Sequence, residues 1–144
     1  MANRPLWAKK QSVFTGAVGT KVASFSTELT GTTIQSVVAA VSGKKIRVRA
    51  FNINAMVSVV LAAASGPSIA LVDSTYQTGV LYQLTSFGKT AAITTVPFST
   101  GLVILPLDGA VRETTAGNAL KIAQSVDLST GVIAVSGTVY YDEI

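Results

Sequence analysis

Along residues 45–49 the apolar side chains Ile46 and Val48 take even positions, and Lys45, Arg47 and Arg49 take odd ones. Successive side chains of a strand point to opposite faces, so this pattern predicts a half-buried strand with a basic outer face. The phase then slips. Phe51, Ile53, Ala55, Val57, Val59 and Leu61 are apolar at odd positions, with Asn52, Asn54 and Ser58 between them. A one-residue shift of this kind predicts a β-bulge or a strand that crosses from one sheet to another. Near the C-terminus, Leu120, Ile122, Val126 and Leu128 alternate with Lys121, Ser125 and Asp127, as an amphipathic strand would. Ile133, Val135, Val139 and Tyr141 line one face of a last strand, with Ser136 and Thr138 on the other. Ser129-Thr130-Gly131 turns the chain between them, so these two strands are expected to form a hairpin.

The remaining segments read the same way. From Lys21 onward Val, Ile and Thr abound, and Ser, Thr and Gly recur between apolar runs, as turns require. Residues 34–41 fit either a short helix or a strand. Ser65-Gly66-Pro67-Ser68 is a turn, residues 69–72 are a short strand, and 76–84 are another strand or part of a long loop. A strand over 90–98 ends at Pro97. Residues 102–107 are apolar on both faces, which predicts a deep position or a subunit contact. Residues 108–118 are the main polar connection. About eight strands result, and no period of 20–50 residues repeats. The fold expected is all-β, a two-sheet β-sandwich or jelly roll over residues 21–144. Residues 1–20 have no steady period, are broken by Pro5, Gly16 and Gly19, and read as an extended N-terminal arm. Trp7 and Phe14 in this basic stretch need a surface to bury against, on their own domain or on a neighbouring subunit.

Composition changes the picture in one respect. The chain has 144 residues, 49% of them hydrophobic and only 12% charged, about half the usual charged share. So little charge suggests a surface covered by copies of the same chain or by another protein. The net charge of +4 is unevenly spread. Residues 1–50 carry eight cations against Glu28 alone, a net of +7, and residues 51–144 carry three cations against six acids, a net of −3. Polarity of this kind often marks a face for an acidic partner.

Candidate chemistry is sparse. There is no cysteine and no histidine, which removes disulfides, thiolate metal sites, the commonest general base and the commonest metal ligand. No serine sits in a nucleophile-elbow pattern, and the acids are not spaced as a calcium loop. Asp108 and Glu113 could be drawn together as a glycosidase pair, but solvated loop charges explain them better. Gly43-Lys44-Lys45 and Gly16-Ala17-Val18-Gly19-Thr20-Lys21 match a phosphate loop weakly. The basic strand at 45–49 lacks the interleaved aromatics of a single-strand binder, so no nucleic-acid partner is expected. Residues 55–64, the longest near-apolar run, are too short to span a bilayer as a helix, and no targeting segment is visible; no membrane partner, cofactor or metal is expected.

Three stretches carry a family likeness: Ser42-Gly43-Lys44-Lys45-Ile46-Arg47-Val48, Thr115-Ala116-Gly117-Asn118-Ala119-Leu120-Lys121-Ile122, and Val135-Ser136-Gly137-Thr138-Val139-Tyr140-Tyr141-Asp142-Glu143. Together they make residues 42–144 resemble the small β-sandwich decoration (cement) proteins of tailed bacteriophages. The resemblance implies a non-enzymatic virion protein, made in the host cytoplasm, that binds the major capsid protein on the outside of the head and stabilises it. Lattice positions of that kind suggest a homotrimer. The contacts expected for capsid or neighbouring subunit are Arg4, Trp7, Lys9, Lys10 and Phe14 of the arm and Lys45, Arg47 and Arg49 of the basic strand. A tail or fibre component and a carbohydrate-binding surface module are the rival expectations.

Overall fold

The computed structural model describes residues 21–59, 66–86, 99–104 and 112–144. Among these described residues eight strands run in order: β1 (Lys21–Thr30), β2 (Gln35–Val38), β3 (Ile46–Val59), β4 (Ser68–Val72), β5 (Val80–Ser86), β6 (Ser99–Ile104), β7 (Leu120–Gln124) and β8 (Val132–Glu143). Among the described residues there is no helix, so the ambiguous stretch at 34–41 resolves as strand β2. The segment expected at 76–84 divides: residues 76–78 form a turn, and the strand begins at Val80. The expected strand at 90–98, residues 105–107 and the arm at 1–20 lie outside the described residues.

The strands form two antiparallel four-stranded sheets, ordered β1-β8-β3-β6 and β2-β7-β4-β5. The pairing has a simple logic. β4 pairs β5, β3 pairs β6, β2 pairs β7 and β1 pairs β8. The chain is one long hairpin, nested about the β4–β5 turn and rolled so that its paired ribbons fall alternately in the two sheets. Two further pairings, β3 with β8 and β4 with β7, close the sheets. This is the jelly-roll connection of a β-sandwich. It overturns the hairpin expected between the last two strands: β7 and β8 lie in different sheets, and the turn at 129–130 carries the chain across the sandwich.

The phase slip after Arg49 is a bulge. Val48 pairs with Tyr141 and Ala50 with Tyr140, so one extra residue on β3 separates two neighbours on β8. β3 stays in one sheet on both sides of it. The bulge restores the register of Phe51, Ile53, Ala55 and Val57, all buried, with Ile46 and Val48 before it. These side chains meet Ile69, Leu71, Leu120 and Ile122 from the other sheet to form the core. β7 is less one-sided than its alternation suggests. Ala123, on its other face, is also buried, in a small cluster with Ala70 and Val72 against which Tyr76 packs.

β8 is the inner strand that both long partners require, and Gly137 lies at its middle, opposite Phe25 of β1 and Ile53 of β3. A Cβ at Gly137 would press on the Asn52 carbonyl oxygen and stand 2.8 Å from Ile53 Cα. Both are backbone atoms and cannot swing away. Gly137→Ala is expected to destabilise the fold by about 1–3 kcal/mol, the usual range for forced overpacking. Urea denaturation should show a lower midpoint at unchanged slope, while Ser136→Ala on the neighbouring exposed position should stay within about 0.5 kcal/mol of the parent.

Candidate functional site

Of the expected contact residues, Arg4, Trp7, Lys9, Lys10 and Phe14 lie outside the described residues. Lys45, Arg47 and Arg49 are brought together at one end of the first sheet. There they meet acids of two other segments, the 112–114 stretch and β8.

The arrangement follows from the strands. β3 begins beside the end of the chain: Lys45 N–H donates to the Ile144 carbonyl at 2.9 Å, and Ile144 N–H returns a bond to Lys45 at 3.1 Å. On the other edge of β3, where β6 does not reach, the 112–114 segment takes the place of a strand. Glu113 bridges Arg47 in antiparallel fashion, Val48 N–H donates to Arg112, and Thr114 N–H donates to Ile46. Arg47 therefore sits between Asp142, its partner on β8, and Glu113. Its guanidinium turns to Glu113, with Nη2 and Nε at 2.6 and 2.7 Å from Oε1. Asp142 is left for Arg49, whose Nε lies 2.6 Å from Oδ2. Lys45 reaches the other Glu113 oxygen at 3.7 Å, and Lys21 of β1 binds Glu143 at 2.7 Å.

Buried polar groups hold this end in place. The Thr114 hydroxyl, 1% exposed as a residue, accepts a hydrogen bond from Ile46 N–H at 3.0 Å. Thr115 then ties the segment to the β4–β5 turn, its N–H and hydroxyl donating to Asp73 Oδ2 at 3.0 and 2.8 Å. Burial pushes the Asp73 carboxyl upward, but the bonds from Thr115, Ser74 and Asn118 outweigh it, and its pKa lies below the ordinary value. The Arg47 hydrogen bond likewise holds Glu113 below the usual carboxylate range, with Lys45 helping.

The cations of this cluster are matched by the chain's own carboxylates. Glu113, the one described member of the carboxylate pair considered for hydrolysis, is engaged by two cations, and Asp108 lies outside the described residues. Among the described residues no three His, Cys, Asp or Glu side chains gather as a metal site, and no helix is long and apolar enough to cross a membrane. Two concavities are lined by described residues. One of about 250 Å³ lies on the outer face of the first sheet between Ser26, Asn54, Met56 and Ser136. Another of about 160 Å³ lies between the 75–77 turn and residues 124–127.

Thr114, Asp142 and Glu143 are the residues of this end that the sequence pattern missed, and Glu113, read as a solvated loop charge, is an ion-pair partner. For the acids a signal existed: the excess of cations before residue 50 and of acids after it is the sum of strands that lie side by side. Thr114 had none, since a threonine in a polar connection looks solvated.

Two outcomes follow. Thr114→Val should cost about 1–3 kcal/mol, because it strands the buried Ile46 N–H, and Thr114→Ser should recover most of it. Glu113 and Asp73 have depressed pKa values when folded, so their stabilisation is complete above the unfolded carboxylate pKa and is lost as pH falls through the folded one. Stability measured by urea denaturation from pH 7 downward should fall below about pH 5, and the E113Q/D73N variant should fall less steeply.

The chain matches no protein-family model and no curated protein.

Proposed function

We propose that this chain is a non-enzymatic virion structural protein, a decoration (cement) protein that lies on the outside of a tailed-phage head, binds the major capsid protein and reinforces the shell as an oligomer. The observation that carries the reading is the distribution of charge on the sandwich. Lys21, Lys45, Arg47 and Arg49 are bound to the chain's own carboxylates at one end. The outer face of the first sheet carries Ser24, Ser26, Asn52, Asn54, Ser136 and Thr138 beside Val22, Met56, Ala134 and Tyr140; apart from Asp142 at the charged end, Glu28 is the single charge among its described positions on β1, β8 and the part of β3 after the bulge. A face of uncharged polar and apolar groups is cheaper to desolvate than a charged one, which suits a surface that works by being covered. The jelly-roll sandwich agrees by analogy, since viral coat and lectin domains use it. The arm residues Arg4, Trp7, Lys9, Lys10 and Phe14 remain the proposed capsid contacts.

Quantitative mass spectrometry of purified virions tests this. A decoration protein is expected in copy numbers comparable with the major capsid protein, and deleting residues 1–15 is expected to abolish binding to heads that lack it. A handful of copies per particle would instead place the chain in a tail or fibre, and a chain missing from virions would overturn the reading.

A further inference from the structure

The cleft of about 160 Å³ between the 75–77 turn and residues 124–127 has an aromatic wall on a tightly held turn. Ala70 and Ala123 are paired across β4 and β7, and their small side chains let Tyr76 pack back against them. The turn is braced from within. Asp73 N–H donates to the Gly79 carbonyl at 2.9 Å, Gly79 N–H donates to the Thr75 carbonyl at 3.0 Å, and the Thr75 and Thr78 hydroxyls lie 2.8 Å apart. A Cβ at Gly79 would strike Asp73 Oδ1 and Ser74 Oγ, so the closed turn requires a glycine there.

The other walls supply acceptors and hydroxyls. Asp127 Oδ1 accepts from Ser129 N–H at 2.8 Å, which leaves Oδ2 to accept another bond. Ser125 Oγ accepts from Ser68 N–H at 2.9 Å, so its own proton is left to donate. Gln124 is 7% exposed; its Nε2 donates to the Gly31 carbonyl at 2.7 Å, and its buried Oε1 has no donor. A buried acceptor without a donor is costly, and a hydroxyl seated in the cleft can supply one. Among the described residues no Lys or Arg lines the cleft, so an anion would meet the Asp127 carboxylate without a counter-charge.

We propose that this cleft binds a neutral pyranose sugar, its apolar face against the Tyr76 ring and its hydroxyls exchanging hydrogen bonds with Asp127, Ser125 and Gln124. A sugar ring presents C–H groups on its face and hydroxyls around its rim, the complement of an aromatic wall ringed by acceptors. Sites for drug-sized molecules start at roughly 300 Å³, so this one takes a single ring. The inference goes beyond the head-surface reading and does not rest on it.

Titration of the isotope-labelled full chain with glucose, galactose, mannose, N-acetylglucosamine and N-acetylgalactosamine tests the site, read by amide chemical shifts. At least one sugar is expected to give saturable shifts centred on residues 32–34, 75–77 and 124–127. Tyr76→Ala and Asp127→Asn are each expected to weaken that binding about tenfold, the worth of one ring contact or one charged hydrogen bond. The amide shifts of the first sheet should stay unchanged in both variants. No saturable shifts with any sugar of the panel, shifts away from the cleft, or binding that survives both substitutions would each overturn the proposal. Saturation by methylammonium chloride but by none of the sugars would overturn it too, by making the cleft a cation site. No readout involves a capsid, so failure here leaves the head-surface reading standing, and failure of that reading leaves the cleft intact.

Discussion

β8 has to fit between β1 and β3, and the rest of the fold depends on its doing so. It pairs with β1 over ten positions and with β3 over twelve, so the first strand and the last are joined across almost the whole chain. A nested hairpin cannot close into two sheets until this strand is in place. Its centre therefore tolerates no Cβ at Gly137, and its end delivers Asp142 and Glu143 to Arg49 and Lys21. Contacts of such long sequence separation close slowly, so the β4–β5 and β3–β6 pairs at the fold of the hairpin are the local structure that can form before β8 docks.

The core and the ion pairs contribute to different ends. Sixteen buried apolar residues form the main cluster, and full burial of each large one is worth roughly 1.5–3 kcal/mol. A half-exposed ion pair contributes about 0–1 kcal/mol. The Arg47–Glu113 and Arg49–Asp142 pairs thus add little stability beside the core. Their effect is positional: they fix the 112–114 segment and the chain end against β3, with the buried Thr114 hydroxyl as the hydrogen-bonded pivot.

The strands were legible because one face of each is wet. Alternation at 45–49 and 132–141 marked β3 and β8, and the slip at Arg49 marked a bulge one residue wide. Which strands pair was not legible. A turn at Ser129-Thr130-Gly131 looks the same whether it closes a hairpin or carries the chain to the opposite sheet, since both need only polar residues and a tight bend, and Ser129 takes a positive φ of 53° in the latter role. The basic face was legible and its neutralisation was not, because Glu113 and Asp142 reach Arg47 and Arg49 from 66 and 93 residues away.

The missing charge acquires a location from this arrangement. Low charge averaged over a sequence says only that some surface is cheap to desolvate. Here the described cations of the basic strand are drawn to the end where β3 starts and β8 stops, and they are matched there by the chain's own acids. Away from that end, the described outer face of the first sheet is one of hydroxyls, amides and apolar groups with Glu28 its single charge. Covering such a face costs hydrogen bonds to water that another strand or another sheet can replace, whereas covering the charged end would strand ions. The sandwich is thereby asymmetric in what it can bury at little cost, and the direction of any assembly it enters is set by that asymmetry rather than by the sign of its net charge.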